Sequence, residues 1–341
     1  MMVAGSNGPA RRGIDVHGHG VPAGFLESIN KSRQAGVEVD ASEGRYVLTF
    51  PGKQPLRPVQ GRMLDFEQRL KWLDEEGMDH QLIAPWLDVH GQELPVADGH
   101  DWVRRLNDSM AEAVAGSGGR LRAHSTLYMA DPSGAAAELE RATRELGMPG
   151  SMIPTNFPGG DLADPTYDAL WEAAQSLGVP ITLHPPTVGP SSCVAGMDQF
   201  GGLYGRLIDT TMIAARILLA GVFDRYPDLQ MVLVHGGGML PYQTGRLDRE
   251  HAEGRLGKGL KSIPSDYVKR FHYDTVLIDT HALGMLLELV GAGRVMIGSD
   301  YPFSVGAPPL AGALGEVTRD PSVRQAVTHD NAAALFKMET N

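Results

Sequence analysis

One pattern constrains this chain more than any other: short apolar runs alternate with longer stretches of helical periodicity almost from end to end. The strand candidates are 13–17, 80–84, 122–127, 150–153, 180–184, 230–235, 271–275 and 294–299. Between them, 65–76, 101–115, 134–146, 165–177, 205–225 and 281–290 read as helices. Several open on Asp or Pro and stop at a glycine (Gly77, Gly116, Gly147, Gly178, Gly291), which are start and stop signals of helices. Strands that alternate with helices build a parallel sheet, and eight is the number that closes a (β/α)8 TIM barrel. A doubly wound open sheet is the alternative. The stretch from 20 to about 61 does not fit a plain βα unit. It holds VEVDASEGRYVLTF, two alternating runs around Ser42–Gly44, which predict a small β-hairpin insertion after strand one. Residues 1–12 read as a flexible leader and 13–341 as one α/β domain.

Composition narrows the function classes. With 42% hydrophobic and 21% charged residues, the chain falls outside the disordered and fibrous classes. A net charge of −11 argues against a nucleic-acid or anionic-membrane partner, since both need a basic face. No run reaches about 18 apolar residues, and the start of the chain lacks the apolar core of a signal peptide. The single cysteine, Cys193, leaves no intrachain disulfide and no cysteine-based zinc site. A cytoplasmic enzyme or binding protein is expected.

The chemistry gathers at the C-terminal ends of the strands. Strand one ends Asp15-Val-His17-Gly-His19, strand five ends in His184, strand six in His235 and strand eight in Ser299-Asp300. Residues i and i+2 of a strand point to one side, so His17 and His19 project together. Imidazole and carboxylate are ligands for Zn²⁺, and an open catalytic site takes three or four of them plus a water. His17, His19, His184 and Asp300 supply that set, with His235 close to the water. A lone strand-end histidine is more often structural; several strand ends bearing His or Asp point to a site. The remaining histidines read as structural or solvated, with His80 and His124 the ones expected to be buried.

Other motifs fall away. Gly18-His-Gly20-Val-Pro-Ala23 fits a dinucleotide fingerprint with Asp40 downstream, but a hairpin rather than a helix is expected next. His235-Gly-Gly-Gly looks like an oxyanion loop, yet no G-x-S-x-G elbow exists in the chain. Cys193 has no partnered base in sequence and reads as a bystander.

The segments DVHGHG, RLKWLDEEGMD, LHPP, GVFDRYPDLQMVLVHGGGMLPYQTGRLD, DYVKRFHYDT and RVMIGSDYPF resemble the amidohydrolase-2 branch of the amidohydrolase superfamily. The likeness is greatest to the aminocarboxymuconate-semialdehyde decarboxylase type of metal-dependent, non-oxidative decarboxylase, and runs from about residue 14 to 336. It implies a (β/α)8 barrel with one divalent metal, usually zinc, held by His17, His19, His184 and Asp300. It makes His235 the histidine that handles protons, and Arg246 an arginine that reaches into the neighbouring subunit's site of a homodimer. Two departures bear on the substrate. The family's carboxylate-binding arginine in the hairpin aligns with Val47 or Leu48, with Arg45 only nearby. The loop 187–204 also lacks the family's tryptophan-bearing sequence. The expected reaction is loss of CO₂ from a conjugated or aromatic carboxylic acid, with His235 and Asp300 moving the proton and Arg246 pinning a carboxylate. Hydrolysis or hydration by the same metal is the alternative, and a barrel that only binds a ligand is the reading from another class.

Overall fold

In the computed structural model, residues 13–303 and 312–338 are described, and the leader expected at 1–12 lies outside them. The strands are β1 (Gly13–Gly20), β2 (Glu38–Asp40), β3 (Val47–Thr49), β4 (Met78–Pro85), β5 (Leu121–Ala123), β6 (Ser151–Pro154), β7 (Ile181–His184), β8 (Met231–Leu233), β9 (His272–Asp274) and β10 (Val295–Met296). β1, β4 and β5 form one parallel sheet, and β6 to β10 form a second in chain order. The two sheets meet at both edges through parallel bridges, Ser125 to Ser151 and Gly18 to Tyr301. The main helices are α1 (Ala23–Ser32), α2 (Phe66–Glu76), α3 (Val96–Ala115), α4 (Pro132–Glu145), α5 (Asp168–Leu177), α6 (Arg206–Leu219), α7 (Leu240–Ala252), α8 (Thr280–Val290) and α9 (Asn331–Leu335). The fold is thus mixed α/β with parallel sheets, as the alternation predicts.

Local signals account for the helix ends. Asp65 caps α2 by accepting from Gln68 N at 2.7 Å, and Asp279 caps α8 by accepting from Ala282 N at 2.8 Å. Each such cap contributes about 1 kcal/mol. Gly77 and Gly178 stop their helices at φ 69° and 60°, whereas Gly116 ends α3 at φ −74°.

Three stretches differ from the sequence reading. The segment 20–61 holds the antiparallel pair β2–β3, with Val39 opposite Leu48, but also the helix α1. A helix therefore does follow Gly18–Gly20. The dinucleotide reading fails for another reason: both glycines stay in β1, paired with Ile83 and Pro85, and make no phosphate-cradling turn. The stretch 205–225 is two helices, because α6 stops at Leu219 and Gly221 turns the chain at φ 68°. The strand expected over 122–127 is shorter, since Thr126 N turns aside to Asn107 Oδ1 at 2.8 Å.

The inner faces of the strands divide along their length. Ile14 and Val16 of β1, Leu82 of β4, Val232 of β8 and Met296 of β10 are buried against Ala332 and Phe336. At roughly 1.5–3 kcal/mol for each large side chain, this apolar plug fixes the strands about one another. On β1, β8 and β10 the plug residues come earlier in the chain than His17, His235 and Asp300 respectively, so the polar groups lie toward the C-terminal ends. No helix among the described residues is long and apolar enough to cross a membrane.

Candidate metal centre

Five groups from four separate strands converge at those C-terminal ends. His17 and His19 come from β1, His184 is the last residue of β7, His235 follows β8 and Asp300 follows β10. All five are buried. One ligand atom from each of His17, His184, His235 and Asp300 lies within 4.8 Å of the others. His19 joins them: its Nε2 is 3.2 Å from His17 Nε2 and 3.1 Å from Asp300 Oδ1. The structure therefore brings together every metal and proton-transfer residue expected from the sequence, and places His235 as near the centre as the expected ligands.

The donor atoms fit a cation. His184 Nδ1 donates to the Pro185 carbonyl at 2.8 Å, so its Nε2 carries a bare lone pair, and that atom is buried with no partner. Asp300 Oδ1 has imidazole nitrogens at 3.1 and 3.3 Å yet forms an aligned hydrogen bond to neither. Orphaned acceptors of this kind cost about 1–3 kcal/mol each, more for a charge, unless something positive sits among them. Burial holds the pKa of His19 down to about 4 and that of His184 well below the ordinary imidazole value, which keeps their lone pairs free. Burial also pushes His17 down, but the Asp300 and Asp274 carboxylates beside it raise it overall. For Asp300 burial works upward, and the surrounding imidazoles outweigh it and hold the carboxyl well below its usual range.

Asp274, the last residue of β9, is the part of the site that the sequence reading passed over. Its Oδ2 accepts from His17 Nδ1 at 2.6 Å, which fixes the ring and turns Nε2 toward the centre. Its Oδ1 accepts from Gly236 N at 3.0 Å and Val276 N at 3.1 Å. One carboxylate thus orients His17 and anchors the turn that carries His235. That turn is tight: His235 has φ 54°, and a Cβ on Gly236 would lie 2.3 Å from Leu277 Cδ2. Asp300 also has positive φ, 57°. Non-glycine residues rarely adopt this conformation, at a cost of roughly 1–3 kcal/mol, and such strain clusters at functional sites.

His235 and Asp300 open onto a cavity of about 540 Å³. Arg57, Arg206, Tyr204 and Phe303 also line it. Arg57 lies over the Trp86 ring and donates to Thr187 Oγ1 at 2.8 Å, and Arg206 donates to the Pro185 carbonyl at 3.1 Å. Neither arginine was singled out in the sequence. Of Val47 and Leu48, where the family's arginine was aligned, Leu48 is fully buried and Val47 partly so. The chain instead brings an arginine, Arg57, to the mouth nine residues after Leu48. Arg246 lies on α7, exposed and not among the residues lining this cavity. His124 is buried as expected and His80 only partly, while Cys193 is exposed.

Comparison with known proteins gives concordant findings. The family model described as Amidohydrolase matches residues 14–338. A 2-amino-3-carboxymuconate-6-semialdehyde decarboxylase of Dictyostelium discoideum is 29% identical over 300 residues, covering 86% of this chain and 82% of that protein. The crystal structure of 5-carboxyvanillate decarboxylase from Sphingomonas paucimobilis superposes with a TM-score of 0.82 at 26% identity, over 97% of this chain and 100% of that one. A dihydroxybenzoic acid decarboxylase from Polaromonas sp. JS666, solved with bound manganese and the inhibitor 2-nitroresorcinol, gives a TM-score of 0.76 at 25% identity, over 96% and 97%.

Proposed function

We propose, from the premise that this chain belongs to the amidohydrolase family, that it is a metal-dependent, non-oxidative decarboxylase of a conjugated or aromatic carboxylic acid. One observation carries the reading: of the five convergent groups, His235 and Asp300 are the two that also line the cavity, and two arginines stand beside them. The cavity thus offers proton-handling groups and anion-binding groups to one substrate.

The eight parallel strands read as one closed (β/α)8 barrel with β2–β3 as an insertion after its first strand, in a single domain. His17, His19, His184 and Asp300 would hold one divalent cation. Imidazole with carboxylate suits zinc, and the manganese in the Polaromonas protein makes manganese the competing ion. Such a cation supplies positive charge for a substrate oxygen.

The chain's own residues do the rest. Arg57 and Arg206 draw the acid into the cavity and orient it through charge-assisted hydrogen bonds. Asp300 Oδ2 lies 3.7 Å from His235 Nε2 at the cavity wall, so a small movement of either side chain lets a proton pass between them. That proton passes to the carbon bearing the carboxylate. The new C–H bond takes the π pair of the adjacent double bond; the bond to the carboxylate then breaks, its electron pair restores that double bond, and CO₂ leaves. One proton is taken up and no oxidant is needed. Arg246 reaches the partner's cavity in a cytoplasmic homodimer, pinning a carboxylate from across the interface. The test is a panel of hydroxybenzoates and muconate-like acids with the metal-loaded protein. One CO₂ per acid consumed, lost on chelation and restored by the metal, is expected; acid consumed with no CO₂ would leave hydrolysis or hydration as the reading.

A further inference from the structure

Behind the ligand cluster lies a set of buried polar groups that no step above uses. Arg69, near the start of α2, is fully buried. A guanidinium is almost never buried without partners. This one donates to the His19 carbonyl, donates to Gln81 Oε1 at 2.9 Å, and lies 4.4 Å from the centre of the Tyr301 ring. Gln81 donates in turn from Nε2 to Asp15 Oδ2 at 2.5 Å. Asp15 accepts further bonds from His17 N at 3.1 Å, Ser299 N at 3.0 Å and Ser299 Oγ at 2.5 Å. A buried cation and a buried carboxylate are thus joined through one amide. Both ends of the chain of bonds finish on the backbone that carries metal ligands.

We infer that Arg69, Gln81, Asp15 and Ser299 form a positioning relay that sets metal affinity by locking the backbone of His17, His19 and Asp300. The inference rests on the metal reading above. Asp300 needs such a lock, because a non-glycine residue rarely holds a left-handed conformation unless the surroundings impose it. Asp300 N donates to the His17 carbonyl at 2.8 Å, so β1 and the Asp300 segment are already tied face to face. The relay clamps that junction from behind. It lies close against the strand: a Cβ on Gly18 would fall 2.7 Å from Gln81 Nε2 and 3.2 Å from Arg69 Nη1. It is also neutral as a unit, since Arg69 balances Asp15. That leaves Asp274 and Asp300 as the carboxylates of the ligand cluster that answer a divalent charge.

The probe is Co²⁺, titrated into stripped full-length protein against a competing chelator, with the visible absorption recorded. Wild type, Ser299→Ala, Gln81→Leu and Arg69→Lys are compared. Arg69→Lys keeps the charge, but a single ammonium replaces the fork that serves the His19 carbonyl and Gln81 together. Substituting partners that orient metal ligands typically weakens binding about 10- to 100-fold, which is the expected loss in each variant. A shift of the Co²⁺ absorption bands should accompany it, a signature that lower stability alone does not produce. Ser299→Ala is the mildest change and serves if the others fail to fold. Wild-type affinity and an unshifted spectrum in every folded variant would overturn the relay. Failure of the wild type itself to bind Co²⁺ would instead remove the metal reading on which the relay depends.

Discussion

Replacing Asp274 by Asn tests the site at the residue that ties two of its parts together. The substitution keeps size and shape and removes one charge. Asp274 Oδ1 accepts two backbone N–H groups, from Gly236 and Val276, at 3.0 and 3.1 Å. In Asp274→Asn the amide oxygen must take that position, because the NH₂ group cannot accept. The NH₂ then faces His17 Nδ1, which sits 2.6 Å from the carboxylate in the native site. His17 must now accept at Nδ1 and carry its proton on Nε2, the nitrogen turned toward the ligand centre. The tautomer is wrong for a ligand, and correcting it leaves either an N–H to N–H clash or two buried amides unsatisfied. The loss of a ligand-orienting carboxylate costs about 10- to 100-fold in metal affinity, or about 1.4–2.7 kcal/mol. Competition with a chelator measures this directly, with the urea midpoint of the metal-free protein as a check on folding. Asp274→Asn binding metal as tightly as wild type would refute the argument that this carboxylate sets the His17 tautomer.

His184→Ala or Asp300→Ala should bring bound metal well below one per chain and abolish turnover; elemental analysis showing full occupancy would remove them from the ligand set. His235→Ala should keep the metal and lose the activity, whereas loss of both together would make His235 a ligand. Asp300→Asn and Arg246→Ala should each be nearly inactive as homodimers. A re-equilibrated mixture should recover roughly a quarter of wild-type activity, because half the dimers regain one complete site; a mixture as inactive as its parents would show that Arg246 does not cross the interface. Desolvation pushes the wholly buried His90 and His124 down to about 4, so the native state holds fewer protons than the unfolded chain below about pH 6.5. Their contribution to stability is complete above that value and falls as pH drops toward 4, by up to about 1.4 kcal/mol per pH unit for each group. Urea unfolding between pH 7 and 5 should show the slope, and His90→Gln should flatten it; an unchanged slope would contradict the assignment.

Much of this site was legible because the alternation of elements puts each chemical residue at the end of its strand. His17, His19, His184, His235 and Asp300 all announce themselves that way. Asp274 obeys the same rule at the end of β9, but a lone Asp after an apolar run carries no pairing signal; its meaning comes from His17, 257 residues away in the chain. The relay from Arg69 to Asp15 was invisible for the same reason, since the bonds between its four side chains span 12 to 284 residues. Arg57 was missed because the arginine was sought inside the hairpin. There Leu48 faces the core, and only after the pair has closed does the chain swing to the mouth. The helix α1 escaped notice because it starts after Pro22 with no side-chain cap and buries only Phe25, Leu26 and Ile29.

In a non-oxidative decarboxylase the carbon losing its carboxylate receives a proton and nothing else. The most direct measurement runs the metal-loaded protein on its best acid in D₂O and analyses the product by mass and by NMR. Decarboxylation yields one CO₂ per turnover and a single deuterium at the carbon that bore the carboxylate, with no oxygen gained. A product that retains its carboxylate and has taken up the elements of water would contradict it, and would place the chain among hydrolases or hydratases instead.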